Sequence, residues 1–267
     1  MTARTVLITG ATSGIGRALA GRLAESGTRL ILCGRRADRL DQLQASLSDR
    51  AESITLCFDV RYREEAERAL GSLPEAWRTI DVLVNNAGGA HGLAPIHQGD
   101  PDDWDIMIDT NLRGLLTVTR LVVPTMVARQ TGHVINIGSI AGKDPYGEGN
   151  VYCATKAAVD ALTRSMRLDL YHHNIRVSAI HPGLVETEFS LVRFKGATDR
   201  AAQVYQGMTA LRPEDVADTI CFVINQPLHV TVAELVVLPT AQAGSVVVHR
   251  STTHGNCTDS LSPGGLP

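Results

Sequence analysis

Tyr152-Cys153-Ala154-Thr155-Lys156 places a phenol and an ammonium four residues apart, a spacing that puts both on one face of a helix. A free tyrosine titrates near pH ~10, so it handles protons poorly at neutrality unless a nearby cation stabilises its phenolate. Lys156 is such a cation, and the pair would make Tyr152 a general acid/base at working pH. Ser139 closes the apolar run His133-Val-Ile-Asn-Ile-Gly138. That predicts a hydroxyl at the carboxyl end of a strand, where open α/β sheets place ligands and where it could hold a carbonyl oxygen. Alone, Tyr-x-x-x-Lys is explained more simply by an exposed helix face, so the reading depends on the elements around it.

The first of these is Arg4-Thr-Val-Leu-Ile-Thr9, a short apolar strand pattern running into Gly10-Ala-Thr12-Ser13-Gly14-Ile15-Gly16 and then a helical pattern. Strand, glycine loop and helix in that order make a nucleotide-binding arrangement. The glycines permit a tight turn, close approach to a pyrophosphate and tight helix packing, and the helix amino end faces the anion. The spacing is Gly-x3-Gly-x-Gly rather than Gly-x-Gly-x-x-Gly. A second strand, Arg29-Leu-Ile-Leu-Cys33, leads to Gly34-Arg35-Arg36, with Arg35 nineteen residues beyond Gly16. An acidic residue there would bind the ribose hydroxyls of NAD, whereas a guanidinium fork suits a 2′-phosphate and favours NADP(H). The other reading of Arg35 and Arg36 is a solvated start to the next helix.

Short β-branched runs at 4–9, 29–33, 53–58, 81–85, 133–138, 175–181 and 234–238 alternate with helical patterns. This predicts an α/β protein, a single-domain Rossmann-like doubly wound parallel sheet of about seven strands with helices on both faces. The domain is expected over residues 1–250, with 251–267 a disordered tail, because after His249 the chain is poor in core-forming residues and rich in chain breakers.

Together, Thr9-Gly-Ala-Thr-Ser-Gly-Ile-Gly16, Asn85-Asn-Ala-Gly88, Asn111, Ser139, Tyr152-x-x-x-Lys156 and Pro182-Gly183 resemble the short-chain dehydrogenase/reductase family over about residues 4–240. The resemblance implies that Asn86, Ala87 and Gly88 lie beside the cofactor and that Asp59 and Val60 sit by the adenine. It also implies that Pro182, Gly183, Val185 and Thr187 border the nicotinamide, and that Asn111, in a long helix, supports Lys156 through an ordered water. Asn111, Ser139, Tyr152 and Lys156 would be the catalytic set, with Tyr152 and Lys156 also touching the cofactor. A narrower likeness lies in Ile135-Asn-Ile-Gly-Ser139, Gly149-Asn-Val-Tyr152 and the segment from Pro182 to Gly196. It is to the NADP-dependent 3-hydroxy acid (serine, allo-threonine) dehydrogenase branch, whose members oxidise small 3-hydroxy acids or reduce the corresponding semialdehydes. Reduction of sulfoacetaldehyde or of neutral aldehydes and ketones would use the same cofactor chemistry, and a non-enzymatic NADP-binding regulator would use the same fold. The branch ends near Val248-His249-Arg250, so the tail is an extension, and the family's homotetramers suggest that residues 240–250 meet a neighbouring subunit.

Arg193 and Lys195 follow Pro182-Gly183 and have two readings, a substrate anchor for a carboxylate or sulfonate and a surface pair on a short lid helix. His91 is either a substrate contact or a solvated loop residue. The nine histidines show no ligand-like spacing with a nearby carboxylate, so no metal is expected. Net charge is −3 with dispersed basic residues, which gives no case for a nucleic-acid partner. No apolar run approaches membrane-spanning length, and the start fits neither signal nor transit peptide, so a cytoplasmic enzyme off the membrane is expected. The five cysteines lack zinc or redox spacing and read as reduced thiols.

Overall fold

The computed structural model describes residues 4–251, so the expected tail lies outside the described residues apart from Ser251. Seven strands alternate with helices: β1 (Thr5–Thr9), α1 (Gly14–Ala24), β2 (Arg29–Gly34), α2 (Ala37–Leu47), β3 (Ser53–Cys57), α3 (Arg63–Gly71), β4 (Val82–Asn85), α4 (Pro101–Ile108), α5 (Leu115–Arg129), β5 (Gly132–Ile137), α6 (Asn150–Leu170), β6 (Ile175–Pro182), α7 (Phe189–Arg193), α8 (Thr198–Gln203), α9 (Pro213–Ile224) and β7 (Glu234–Val237). All strands are parallel in the order β3-β2-β1-β4-β5-β6-β7. The order reverses between β1 and β4, and that switch point opens a crevice at the carboxyl ends of the strands.

A sheet covered on both faces buries both sides of its central strands, and every residue of β1 and β6 is buried. Alternation inside the runs divides the core. Val6 and Ile8 of β1 pack with Leu19 of α1 and Ile220 of α9, whereas Leu7 faces the other way, with Val118 and Val122 of α5 and Val159 of α6. The two layers fix the sheet between helices, so residues at the strand ends have a rigid base. Between α4 and α5 the chain forms a π-helical stretch, Asp109–Gly114, where a simple long helix is expected from sequence. The Asn111 side chain in this wider turn bonds Gly89 and Thr155. Residues 240–251 fold back on their own chain, with Ala243 N–H donating to Val247 O and Ser251 N–H to Gly207 O, each at 2.8 Å. Among the described residues, no helix is long and apolar enough to cross a membrane.

Candidate active site

The crevice begins at the glycine loop. Gly10 has φ +66°, a left-handed conformation that favours glycine, and a Cβ on Gly16 would lie 2.4 Å from Gly10 O. Both positions therefore need glycine for the loop to close on itself. Thr9 Oγ1 accepts from the N–H groups of Asn86 and Ala87, each at 3.0 Å, and Asn86 Nδ2 donates to Thr9 O at 2.9 Å, which ties the ends of β1 and β4 together. Behind them Asn85 Nδ2 donates to Asn136 Oδ1 and Thr119 Oγ1, and Asn136 Nδ2 to Thr163 Oγ1, all at 2.9 Å. Asn136 stands inside β5, and a polar residue inside a buried strand is the available signal of its role.

At the end of β2 the two arginines separate. Arg35 turns towards Asp59, with Nη1 3.4 Å from Oδ2, and Asp59 also accepts from Arg61 at 2.7 Å. Burial acts to raise the Asp59 carboxyl, but the hydrogen bonds from Arg61 and the charges of Arg35 and Arg61 outweigh it and hold the group below its ordinary value. Arg36 instead points at the glycine loop, donating to Thr12 Oγ1 at 3.0 Å. Arg36 converges with Arg39, and both guanidinium groups reach the same carboxylate, Glu188. Arg39 stands three residues along α2 from Arg36, a helical spacing that was available in the sequence. Val60 is buried and packs on Gly114.

At the other end of the crevice lie Ser139, Tyr152 and Lys156, all buried. Ser139 follows β5 and its Oγ accepts from Ala141 N–H at 3.1 Å. Tyr152 and Lys156 share a face of α6, and Lys156 Nζ donates to Ile137 O at 2.9 Å. Burial lowers the Lys156 ammonium to about 8. Burial also pushes the Tyr152 phenol well above its ordinary value, opposed by the Ser139 hydroxyl and the Arg193 charge. Desolvation outweighs the neighbouring charges at Tyr152 in this arrangement, and the Lys156 ammonium is directed at Ile137 O.

Asn111 exchanges hydrogen bonds with Gly89, Nδ2 donating to O at 2.9 Å and Oδ1 accepting from N–H at 2.8 Å, and also donates to Thr155 Oγ1 at 3.0 Å. A Cβ on Gly88 would sit 3.0 Å from Asn111 Oδ1 and 3.4 Å from Lys156 Nζ, so Asn86-Ala87-Gly88 runs directly past Lys156. Pro182 ends β6, and Gln242 Oε1 accepts from Leu184 N–H at 2.9 Å, holding the Gly183 turn. Gln242 carries no motif and was not legible in sequence. Val185 bridges to Leu211, and Thr187 lies against Gly14.

The structure also divides Arg193 from Lys195. Arg193 is buried, its guanidinium 5.7 Å above the Tyr152 ring and 5.5 Å above that of Tyr146, with Nη1 donating to the Tyr146 hydroxyl at 2.7 Å. Its Nη2 is buried without a protein partner. Lys195 is on the exposed rim, 3.0 Å from Asp103 and 3.3 Å from Asp100. A cleft of about 280 Å³ opens here, lined by His91, Trp104, Asn150, Tyr152 and Arg193. Half-burial of His91 lowers its pKa, against the pull of Asp103.

One side-chain cluster has the proximity of metal ligands. Asp160, His181 and Glu234 bring ligand atoms within 4.8 Å of one another from three separate elements, a proximity that local sequence spacing could not reveal. Lys143 already supplies the cation there, with Nζ 3.4 Å from Asp160 Oδ2 and in contact with Glu234 Oε1.

The short chain dehydrogenase family matches residues 4–197. The chain is 48% identical over 248 residues to the NADP-dependent 3-hydroxy acid dehydrogenase YdfG of Salmonella typhi, covering 92% of this chain and 99% of the relative. It is 43% identical over 239 residues to the serine 3-dehydrogenase of Agrobacterium fabrum, covering 90% and 95%. Its structure is similar to the closed form of a serine dehydrogenase complexed with NADP+, with a TM-score of 0.87 and 46% identity over 92% of this chain and 100% of that one.

Proposed function

This chain belongs to the short-chain dehydrogenase family, and from that premise we propose that it is an NADP-dependent dehydrogenase of small 3-hydroxy acids, serine among them, or a reductase of the matching semialdehydes. The observation that carries the substrate class is the spare Nη2 of Arg193 beside Tyr152. A buried guanidinium with an unused donor favours a carboxylate, and its placement over the phenol ring sets that donor beside the group that moves the proton.

The residues fit the cofactor: a glycine loop whose close approaches exclude Cβ atoms, an arginine pair at the end of β2, and Lys156 beside Gly88. When bound, NADP+ supplies the hydride acceptor for the carbon that bears the substrate hydroxyl. Gly10, Thr12, Ser13, Gly14, Ile15 and Gly16 would cradle its pyrophosphate, Arg35 and Arg36 with Arg39 the 2′-phosphate, and Asn86 to Gly88 with Pro182 to Thr187 the nicotinamide half. Tyr152 accepts the hydroxyl proton during oxidation and returns it during reduction. The Lys156 charge favours the Tyr152 phenolate once the crevice is filled and its water excluded. Ser139 donates to the oxygen that becomes a carbonyl, and Asn111 fixes Gly89 and Thr155 around Lys156. Arg193 takes the acid group and so orients the 3-carbon.

We place the enzyme in the cytoplasm and read it as a homotetramer; the exposed apolar side chains Leu116 on α5, Leu168 on α6 and Tyr171 just beyond α6 support a subunit contact. The test of the substrate class is Arg193→Ala. Losing a charge-assisted pair costs about 1.5–3 kcal/mol, so KM for hydroxy acids should rise on the order of tenfold to a hundredfold while a neutral alcohol is little affected. Equal losses on both would reject the anchoring role.

A further inference from the structure

The segment that brings Arg193 to Tyr152 also reaches the far end of the crevice. Glu188 stands at the amino end of α7, and its carboxylate bridges two arginines of another element. Oε2 accepts from Arg36 Nη1 at 3.0 Å and Oε1 from Arg39 Nη1 at 2.6 Å. Burial works to raise the Glu188 carboxyl, but the hydrogen bonds from Arg39 and Arg36 outweigh it, so the group is held below its ordinary value and is charged at neutrality. The same Arg36 donates to Thr12 of the glycine loop. Thr187, the preceding residue, lies on Gly14 of that loop. A single stretch of seven residues, 187–193, therefore touches the glycine loop, the arginine pair and the cleft beside Tyr152.

A carboxylate spread over two guanidinium groups has the geometry that a phosphate monoester would take. The phosphate is the stronger occupant, with about −1.5 to −2 charge at pH 7 and three acceptor oxygens. A dinucleotide with free ribose hydroxyls has no anion to put there and would leave Glu188 in place. We propose that Glu188 is an internal competitor for the 2′-phosphate of the cofactor, holding the Arg36 and Arg39 forks and yielding them to that phosphate, so that 2′-phosphate recognition is coupled to the segment carrying Arg193. The inference rests on the NADP reading above and assigns Arg39 to the same recognition.

The test is direct binding of NADPH and NADH to the full chain, followed by nicotinamide fluorescence, in the wild type, Glu188→Gln, Arg39→Ala and the double variant. Two half-exposed ion pairs set a modest competition. Glu188→Gln should tighten NADPH about fivefold and leave NADH within about twofold. Arg39→Ala should weaken NADPH, and the double variant should lose the gain. Unchanged or weaker NADPH binding in Glu188→Gln would overturn the proposal, since a carboxylate that merely orients the arginines would be missed rather than displaced. A wild type without preference for NADPH over NADH would instead overturn the NADP reading itself. The coupling has its own readout: 2′-AMP should alter hydrogen exchange over residues 187–195 where 5′-AMP does not, and equal traces would refute it.

Discussion

Lys156 is a buried ammonium with one protein hydrogen bond, and its replacement by methionine isolates the cost of that burial. Desolvation takes the group from 10.5 to about 8, which corresponds to roughly 3 kcal/mol of folded-state destabilisation when the lysine is protonated in both states. The folded pKa lies below the unfolded one, so the unfolded chain binds more protons between about pH 8 and 10.5 and wild-type stability gains a rising contribution across that window. Lys156→Met has no such contribution. It also loses the bond to Ile137 O, but that loss does not depend on pH. The stability of Lys156→Met minus that of the wild type should therefore be greater at pH 7 than at pH 10 by roughly 2 to 3 kcal/mol. Urea unfolding of both proteins at several pH values gives the difference, in which other titrating groups cancel. A difference flat with pH would show that the lysine keeps its ordinary pKa in the fold and would refute the desolvation argument.

Two further substitutions address the chemistry and the cradle. Tyr152→Phe should remove turnover by at least about a hundredfold, the contribution expected of a general acid/base, while NADPH fluorescence titration shows binding retained; substantial turnover would assign proton transfer to another group. Gly16→Ala puts a methyl 2.4 Å from Gly10 O, so it should abolish tight NADPH binding, and wild-type affinity in a folded variant would show that the loop can open without loss.

The sheet was legible in the sequence because its inner strands are short runs rich in β-branched and aliphatic residues bounded by glycine, proline or polar residues, as in 4–9 and 133–138. The glycine loop and Tyr152-x-x-x-Lys156 were legible because their spacing is local: turn and helix geometry fix which atoms meet. What sequence did not give is whatever depends on contacts between distant elements. Arg35 and Arg36 look equivalent as neighbours, but Asp59 draws one away and Thr12 and Glu188 orient the other. Arg193 and Lys195 look like a pair, yet Lys195 is held at the rim by α4 while Arg193 is buried on Tyr146. Gln242 supports the Gly183 turn from 58 residues away from Leu184. The sign of the Tyr152 shift is of the same kind, since burial is a property of the packed site and not of the Tyr-Lys spacing.

The measurement that tests the central claim most directly is nicotinamide absorbance over time with purified protein. NADP+ and NAD+ are crossed with serine, allo-threonine, 3-hydroxypropionate, 3-hydroxyisobutyrate, a sulfonated alcohol and a neutral secondary alcohol. The account predicts turnover of the 3-hydroxy acids with NADP+ and much slower turnover with NAD+. Turnover confined to the neutral or sulfonated alcohol, or equal use of both cofactors, would contradict it.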